Sequence, residues 1–547
     1  DKTLQLYKNA DTSGVFQVES RGMRKILKDL NPENIEDIIA VIALYRPGPL
    51  NLTETFIHNK LHPEDITYPH PDLEPILKKT YGICLYQEQV MEIARKMADF
   101  SLGEADILRK AMGKKKPELM FEKRDEFITR AIKKGYTKEV ASNVFSVLEY
   151  FAGYGFNRAH AVAYGFISYW TAYLKAHYPL YFFTSLLNST IGNETKTEEY
   201  CFECRKNGID ILPPSINDSE PLFSVEGNSI RYGLLAIKNI GEAAIKSIVE
   251  ERKKKGKFIS FPEFLSRIKK GANKKVIEFL IKAGAFDVFD KDKSKLLLNF
   301  QGEQVEEVSL FGNSASLNRT TIKKQELSHD IDIHSNANFE KEALGFYLTN
   351  HPLNSYLEFY NFDTYKISEI PEITEEETEI KLFGLLSGLR YPKKRENGNF
   401  GFLQFEDLTG SVEILVSGSL LEEVNKYIEK DGAILINVRV KRSDDNLRLS
   451  LQGIDRFISK QTYEKEKNET SVLNLKLNYS VLSSDMIKVL LTTLSRYKGT
   501  NPVKIILIKD NFEIKSIAGS KLWVSKNKET VSELSSILGK DNVWWEK

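Results

Sequence analysis

Residues 150–193 read YFAGYGFNRAHAVAYGFISYWTAYLKAHYPLYFFTSLLNSTIGN. The part from 161 to 173 is apolar around most of a helical circumference, which predicts a buried helix within a helical domain. The window contains no Asp or Glu in its 44 residues, although 76 acidic residues in 547 would give about six on average. A surface without acidic residues favours a partner that carries negative charge.

Basic residues and aromatic rings alternate within the same window. The basic residues are Arg158, His160, Lys175 and His177, and the rings are those of Tyr154, Phe156, Tyr164, Phe166, Tyr169, Trp170 and Tyr173. Cations supply phosphate contacts and flat rings supply stacking surfaces, a combination that nucleotide and nucleic-acid sites use. A buried helix would also account for the rings, so the cations and the missing acids are the features that favour a site.

A second basic cluster lies upstream of this window. It comprises Arg109, Lys110, Lys114, Lys115 and Lys116 and is ended by Pro117. The preceding residues have helical spacing, so the cluster is expected at the end of a helix, where lysines often only complement the helix dipole. Together with the acid-free window, the cluster predicts a cleft for phosphates.

The composition is typical of a soluble, multidomain globular chain. With 547 residues it is long enough for about three to four domains, and a hydrophobic share of 41% provides core material. The longest apolar stretch, residues 38–45, is far shorter than a membrane span, so we expect no membrane contact. The chain begins at Asp1 with neither Met nor a signal-peptide pattern and is expected to be a piece of a longer protein.

The cysteines favour a reducing compartment, and we expect a cytoplasmic protein. There are three of them, Cys84, Cys201 and Cys204, which excludes a disulfide framework. Cys201 and Cys204 form a CxxC pair, but no second pair completes the four ligands of a structural zinc site. We therefore expect no bound metal in this chain.

Residues 230–251 predict two short helices joined by a tight turn, as in a helix-hairpin-helix. Lys238, Asn239 and Gly241 lie in the turn, and Asn239 stands where a glycine is usual. Asn tolerates the left-handed conformation better than most residues. Such a turn directs backbone N–H groups at a DNA phosphate, so these three residues are candidate DNA contacts, with plain helix packing as the alternative.

A polar segment at residues 301–337 is predicted to be a loop or linker. Within it, Glu307 precedes the apolar pair Leu310 and Phe311, which suits either a peptide anchor for another protein or packing on the chain's own domain. Asp330 and Asp332 resemble a metal-binding pair, but no strand pattern or third carboxylate supports that interpretation.

From residue 381 the hydrophobic period changes to two. Strands are predicted at 382–385, 400–405, 412–416, 434–440 and 447–454, with a helix at 420–429. Three strands, a helix and two strands form the order of an OB-fold barrel, which binds single-stranded nucleic acid or oligosaccharide. Arg390, Lys393, Lys394 and Arg395, on the loop between the first two strands, suit a phosphate track. From about residue 471 the pattern predicts a small α/β domain.

Five segments together carry a family resemblance. They are 14–23 (GVFQVESRGM), 45–49 (YRPGP), 81–89 (YGICLYQEQ), 108–115 (LRKAMGKK) and 151–160 (FAGYGFNRAH). In this order they resemble the fingers region of the α subunit of bacterial DNA polymerase III. The resemblance continues through the hairpin, residues 345–352 (GFYLTNHP) and the OB-like strands, and it is weakest after about residue 471.

The resemblance implies a multidomain α+β fold. The expected parts are mostly α-helical polymerase fingers (1–195), a helical helix-hairpin-helix domain that binds DNA and the clamp (196–300), a linker and connecting segment with a clamp-binding motif (301–378), an OB-fold β-barrel (379–460) and a small C-terminal α/β domain that contacts the clamp loader (471–547). The implied function is part of a replicative polymerase. Its partners would be primer-template DNA, deoxynucleoside triphosphates, the single-stranded template, the sliding clamp and a clamp-loader subunit.

The resemblance also assigns site residues. Contacts to the nucleotide are implied for Arg109, Lys110, Lys114, Lys115, Asn157, Arg158, His160 and Tyr164. Glu307, Leu310 and Phe311 lie where the family carries its clamp motif, with Glu307 in place of the usual Gln. His160 could protonate the leaving group, although a lone His beside an apolar helix is more often structural.

The catalytic carboxylates that hold Mg²⁺ belong to the palm in that family, and no palm motif is present in this sequence. We therefore expect no catalytic residue and no Mg²⁺ ligand in this chain, and we predict that the chain alone does not extend a primer. The main alternative is a non-catalytic DNA-binding scaffold module of a replication complex. An OB-type oligosaccharide binder is the third interpretation.

Overall fold

The computed structural model describes residues 1–46, 48–113, 117–152, 155–268, 271–309, 333–357, 359–360, 362–373, 375–392, 400–428, 430, 432–443, 446–469, 471–509, 512–518 and 522–546. The chain divides into two compact units, Asp1–Ser189 and Thr190–Lys547. In the part of the chain that is described, no helix combines the length and apolar composition needed to cross a bilayer.

The described part of the first unit is helical. Its helices are α1 (Lys2–Lys8), α2 (Arg21–Leu30), α3 (Ile35–Leu44), α4 (Thr53–Leu61), α5 (Glu74–Leu77), α6 (Gln87–Ala98), α7 (Leu102–Gly113), α8 (Pro117–Lys133), α9 (Lys138–Ala152), α10 (Arg158–His177) and α11 (Pro179–Ser189), with short 3₁₀ turns at Pro49–Leu52, Pro63–Asp65, Pro71–Leu73 and Lys78–Thr80. The core of this unit gathers apolar side chains from α1 through α10.

Helix α10 packs through its small residues. Ala161, Gly165, Ser168 and Ala172 are buried, and α3 and α1 lie against this face. A Cβ on Gly165 would come within 2.5 Å of Ile39 Cγ1, so the glycine permits the close approach of α10 to α3. The prediction of a helix is correct, but the prediction that it is buried around its circumference is wrong. Close packing selects the small side chains, and the large ones lie on the opposite, exposed face.

The second unit contains the remaining elements. Its helices are α12 (Glu194–Lys206), α13 (Glu242–Lys255), α14 (Phe261–Ile268), α15 (Lys274–Lys282), α16 (Lys293–Ser309), α17 (Ile333–Leu344), α18 (Leu353–Leu357), α19 (Ser419–Ile428), α20 (Lys460–Glu469), α21 (Ser484–Arg496) and α22 (Lys528–Leu538). Its strands are β1 (Ile211–Leu212), β2 (Ser224–Glu226), β3 (Ser229–Arg231), β4 (Glu377–Arg390), β5 (Phe400–Asp407), β6 (Gly410–Ser417), β7 (Gly432–Ser443), β8 (Asn446–Ser459), β9 (Val472–Asn478), β10 (Lys498–Asn501), β11 (Val503–Lys509), β12 (Phe512–Ile517) and β13 (Val543–Glu546). Short 3₁₀ turns lie at Leu234–Ala236, Ile367–Glu372, Tyr479–Val481 and Lys540–Asn542.

The hairpin region departs from its prediction in one element. A short sheet of order β1-β3-β2 precedes it, and α13 follows the turn as expected. The first predicted helix is instead the single 3₁₀ turn Leu234–Ala236, which begins three residues after the end of strand β3. The predicted linker is also shorter than expected, since α16 and α17 extend into it from both sides and pack against α15.

The OB-like region forms a closed five-stranded barrel, as predicted. Its strand order is β4-β5-β6-β8-β7, and a parallel pairing of Leu415 with Ser450 joins β6 to β8. Helix α19 follows the third strand, and the inner core consists of alternating apolar residues from all five strands. The multidomain α+β fold class is therefore confirmed.

The final region is a four-stranded sheet with helices. The strand order is β12-β11-β9-β13, in which β9 and β11 are parallel and the outer pairs are antiparallel. Helices α21 and α22 contribute Leu490, Leu494 and Leu534 to its core. This arrangement agrees with the predicted small α/β fold.

Candidate nucleotide and nucleic-acid sites

The start of helix α10 is fixed by reciprocal contacts with α6. Asn157 caps α10, and its side-chain Oδ1 accepts the backbone N–H of His160 at 2.8 Å. The Asn157 Nδ2 donates to Glu88 Oε1 at 2.9 Å, and Glu88 Oε2 accepts the backbone N–H of Arg158 at 2.9 Å. One carboxylate thus holds both the cap residue and the first residue of the helix.

Gln87 connects this helix start to the basic cluster on α7. Its backbone N–H donates to Phe156 O at 2.9 Å, and its side-chain Nε2 donates to Gly155 O at 2.9 Å. Its Oε1 accepts Arg109 Nη1 at 3.0 Å. A single side chain therefore joins Arg109 to the segment that leads into α10, and the fold brings these two predicted regions next to each other.

Arg109 and Lys110 share a carboxylate on their own helix. Arg109 Nη2 lies 2.8 Å from Asp106 Oδ1, and Lys110 Nζ lies 2.7 Å from Asp106 Oδ2. Hydrogen bonds from Lys110 and Arg109 hold the pKa of Asp106 below its usual value. Asp106 is therefore ionised near neutral pH and orients both cations.

Arg158 has an equivalent counter-ion. Its Nη2 donates to the two carboxylate oxygens of Glu36 at 3.0 and 3.1 Å. Its guanidinium also lies 5.8 Å from the centre of the Tyr86 ring. The guanidinium is more than a third exposed, so this pair orients the side chain more than it stabilises the fold.

A row of rings borders these cations. The His160 ring centre lies 5.4 Å from that of Phe156 and 4.1 Å from that of Tyr164, and Phe16 continues the row at 5.3 Å from Tyr164. Arg46 lies 4.1 Å from the centre of the Phe156 ring. The predicted residues His160 and Tyr164 therefore belong to one aromatic wall, which offers flat surface to a base or sugar.

A buried lysine supports one end of this wall. Lys175 donates to Asp11 O at 2.9 Å, to Asp11 Oδ1 at 3.0 Å and to Ser13 O at 3.2 Å. The backbone N–H of Phe16 donates to Thr171 Oγ1 at 3.2 Å. Lys175, which the sequence suggested as a phosphate contact, instead fastens the loop that carries Phe16 to α10.

The sequence-based assignment missed several residues of this site. Gln87, Glu88 and Arg46 lie in segments that carried the family resemblance but received no role, and Asp106 and Glu36 were not singled out. Asp106 lies close in sequence to its partners, whereas the other residues lie far from theirs. For Gln87, Glu88 and Arg46, the signal available in the sequence was their presence in the quoted motifs. Lys114 and Lys115 lie outside the described residues.

The hairpin places its turn residues as the sequence suggested. Asn239 adopts a left-handed conformation with φ of 59°, and Gly241 precedes α13 with open space where a Cβ would point. The Lys238 backbone N–H donates to Ala343 O at 2.9 Å, and its Nζ lies 4.0 Å from Glu194 Oε1. The turn is anchored on one side and has space beside Gly241 on the other.

The outer face of the barrel carries an aromatic patch on β5. Phe400 and Phe402 lie 5.9 Å apart, and Phe402 pairs across the strands with Leu415 on β6. Arg390 lies 5.5 Å from the Phe402 ring centre and 2.9 Å from Glu413 Oε1. Arg390 is the last residue of β4 and not a loop residue, because the strand is longer than predicted. Lys393, Lys394 and Arg395 lie outside the described residues.

Only part of the predicted clamp-binding motif lies within the described residues. Glu307 lies within the bounds of α16, and Leu310 and Phe311 lie outside the described residues, as do Asp330 and Asp332. The assignment of these residues therefore stays a prediction.

The carboxylates near the site do not form a metal centre. Asp106, Glu36 and Glu88 each bind a cation or an amide, as described above. Across the described ranges, no three His, Cys, Asp or Glu side chains are grouped to hold a metal ion. The Mg²⁺ of nucleotidyl transfer does not fit these residues, and we assign no step to it.

The sequence matches two family models. Residues 1–135 match the model of the bacterial DNA polymerase III alpha subunit finger domain, and residues 208–296 match a helix-hairpin-helix motif. The first match includes α6 and α7 with Arg109, and the second includes the turn at Asn239.

Full-length relatives match most of the chain. DNA polymerase III subunit alpha of Aquifex aeolicus is 39% identical and covers 87% of the chain, which spans 40% of that relative. The same subunit of Borreliella burgdorferi and that of Bacillus subtilis are each 36% identical and cover 99% of the chain, which spans 48% of each relative. The chain thus spans about half the length of the curated relatives that it matches. The two model matches and these similarities together show that the chain is similar, over most of its length, to part of the bacterial DNA polymerase III alpha subunit.

Proposed function

We propose that this chain is part of the catalytic subunit of a bacterial replicative DNA polymerase and that its first unit binds the incoming deoxynucleoside triphosphate. The observation that carries the proposal is the convergence of Arg109 and the start of α10 through Gln87. Two cationic groups from distant parts of the sequence then face one substrate beside a wall of rings.

The role of the cations is electrostatic and positional. Arg109 and Lys110 neutralise the triphosphate and orient the departing pyrophosphate. Asp106 fixes their side chains before substrate arrives, which lowers the conformational entropy lost on binding. The wall of His160 and Tyr164 supports the base or sugar, and Asn157 and Arg158 hold the helix start in place.

The second unit would bind DNA through two surfaces. The hairpin residues Lys238, Asn239 and Gly241 hold the duplex backbone, supported by the open approach to Gly241. The barrel face with Phe402 and Arg390 binds the single-stranded template by stacking and phosphate contact. The strand pair β5–β6 is the part of an OB-fold that usually meets nucleic acid.

The partners of the replication complex follow from the family. We propose that Glu307, Leu310 and Phe311 bind the sliding clamp and that the domain from residue 471 contacts a clamp-loader subunit. Substitution of both Leu310 and Phe311 by Ala should abolish clamp binding measured by surface plasmon resonance. Unchanged binding would move the anchor elsewhere in the chain.

A chimaera tests the polymerase function. The matching half of the Aquifex aeolicus relative is replaced by this chain, and template-directed primer extension is measured with Mg²⁺ and all four nucleotides. We expect extension, and we expect Arg109→Ala to raise the apparent KM for nucleotide at least about tenfold, because charged hydrogen bonds contribute about 1.5–3 kcal/mol.

The scaffold alternative predicts a different result. A chimaera that binds primer-template DNA normally but shows no extension would favour a non-catalytic DNA-binding module. Unchanged KM in the Arg109→Ala chimaera would refute the assignment of Arg109 while leaving the polymerase function intact.

A further inference from the structure

The exposed face of α10 and α11 carries a row of large rings. The exposed fractions are 42% for Phe166, 60% for Trp170, 42% for Tyr173, 52% for Tyr178 and 64% for Tyr181. The aliphatic side chains of Ile167 and Leu174 lie between them and are exposed as well. Soluble proteins rarely leave a contiguous apolar patch of this kind without a partner.

The rings follow one another at short intervals along the helix axis. The ring centres of Phe166 and Trp170 are 6.3 Å apart, and Tyr173 stacks on His177 at 4.2 Å. With a helical rise of 1.5 Å per residue, the positions from Phe166 to His177 span about 16 Å. Proteins that bind single-stranded nucleic acid use such series of rings, on which successive bases stack.

The two helices that carry this row contribute no negative charge of their own. Residues 150–193, which include both helices, contain no Asp or Glu. His160 precedes Phe166 by six residues on α10, or about 9 Å along the axis. The row therefore begins close to the proposed triphosphate site, and no carboxylate of its own helices opposes a phosphate backbone.

We propose that this ring row is a stacking surface for single-stranded DNA and that it receives the unpaired template strand next to the nucleotide site. The inference rests on the proposed polymerase function and adds a second single-strand contact to the one on the barrel. Five rings and the absence of carboxylates favour a nucleic acid over a polypeptide, which would have no need for an acid-free surface.

The test measures binding of the whole chain to a fluorescent oligothymidylate of about 20 nucleotides by anisotropy. Trp170→Ala should weaken binding about fivefold to hundredfold, because one base stacked on one ring contributes about 1–3 kcal/mol. Trp170→Phe should keep most of the affinity, since it retains a ring. An abasic strand of the same length should bind wild type and Trp170→Ala equally well, because it has phosphates but no bases.

Phe512→Ala is the matched control, because that ring is 75% exposed on β12, outside the proposed surface. Equal affinity of Trp170→Ala and Phe512→Ala for the oligothymidylate would overturn the inference. If wild type binds neither the oligothymidylate nor primer-template DNA, the proposed function fails as well. If wild type binds and only the barrel variant Phe402→Ala loses affinity, the proposed function stands and the ring row alone is refuted.

Discussion

Replacement of Asn157 by Ala should loosen the start of α10 and with it the nucleotide site. The change removes the Oδ1 acceptor of the His160 N–H at 2.8 Å and the Nδ2 donor to Glu88 at 2.9 Å. Loss of a helix cap costs about 1 kcal/mol, within a range of about 0.5–2 kcal/mol. The exposed bond to Glu88 adds little to this value. The local opening equilibrium should therefore shift about fivefold.

Hydrogen exchange of the His160 amide measures this effect, together with the affinity for a deoxynucleoside triphosphate. The exchange rate should rise about fivefold, and the nucleotide affinity should fall about fivefold, because His160 belongs to the ring wall. Asn157→Ser keeps the cap acceptor and should restore most of the protection. Asn273→Ala is a matched control, since Asn273 caps α15 by the same bond to Val276 at 2.9 Å in the other unit. An unchanged His160 exchange rate in Asn157→Ala would refute the reasoning.

Three further predictions concern other parts of the chain. Burial, with smaller effects from Lys341 and Arg205, lowers the pKa of His351 from its usual 6.5 to about 4, so its neutral form stabilises the fold. The free energy of unfolding, measured with urea, should reach its maximum above pH 6.5 and should fall by about 3 kcal/mol toward pH 4. The loss should be smaller in His351→Asn. Burial raises the pKa of Cys84 and of Cys201 to about 12, so both should resist a thiol reagent until denaturant is added, and fast reaction of the folded chain would contradict their burial. Gly241→Leu should change the free energy of unfolding by less than about 0.5 kcal/mol, because its Cβ meets open space. The same substitution should weaken the binding of duplex DNA. Unchanged binding would show that the hairpin does not contact the duplex.

The barrel and the hairpin turn could be predicted because their signals are local. Alternation of apolar residues along β5 and β6 fixes which side chains face the barrel core. The left-handed conformation of Asn239 follows from a preference of the residue itself. In both cases, neighbours in the sequence determine the outcome.

The exposed face of α10 could not be predicted in this way. The apolar pattern groups Ala161, Gly165, Phe166 and Trp170 together, whereas close packing against Ile39 admits only the smaller residues. The position of the helix against α3 therefore decides which side chains stay exposed, and that position depends on residues about 120 places earlier in the chain.

Neighbouring residues in the sequence also could not identify the partners of the cations. Glu36 lies 122 residues from Arg158, and Gln87 lies 22 residues from Arg109. The sequence indicated which cations belong together through the family motifs, but only the fold brings their carboxylate and amide partners beside them. Acidic residues near a phosphate site look unfavourable in a sequence, although here they orient the cations.

The most direct test of the central claim, that α7 and the start of α10 form one triphosphate site, is the affinity of this chain for dATP. Saturation-transfer NMR suits weak binding to a chain of this size. Arg109→Gln should weaken binding at least about tenfold, in line with the loss of a charged hydrogen bond. Arg124→Gln is the control, because Arg124 on α8 is similarly exposed and lies 3.7 Å from Glu149. Equal affinity of the two variants would contradict the proposed site.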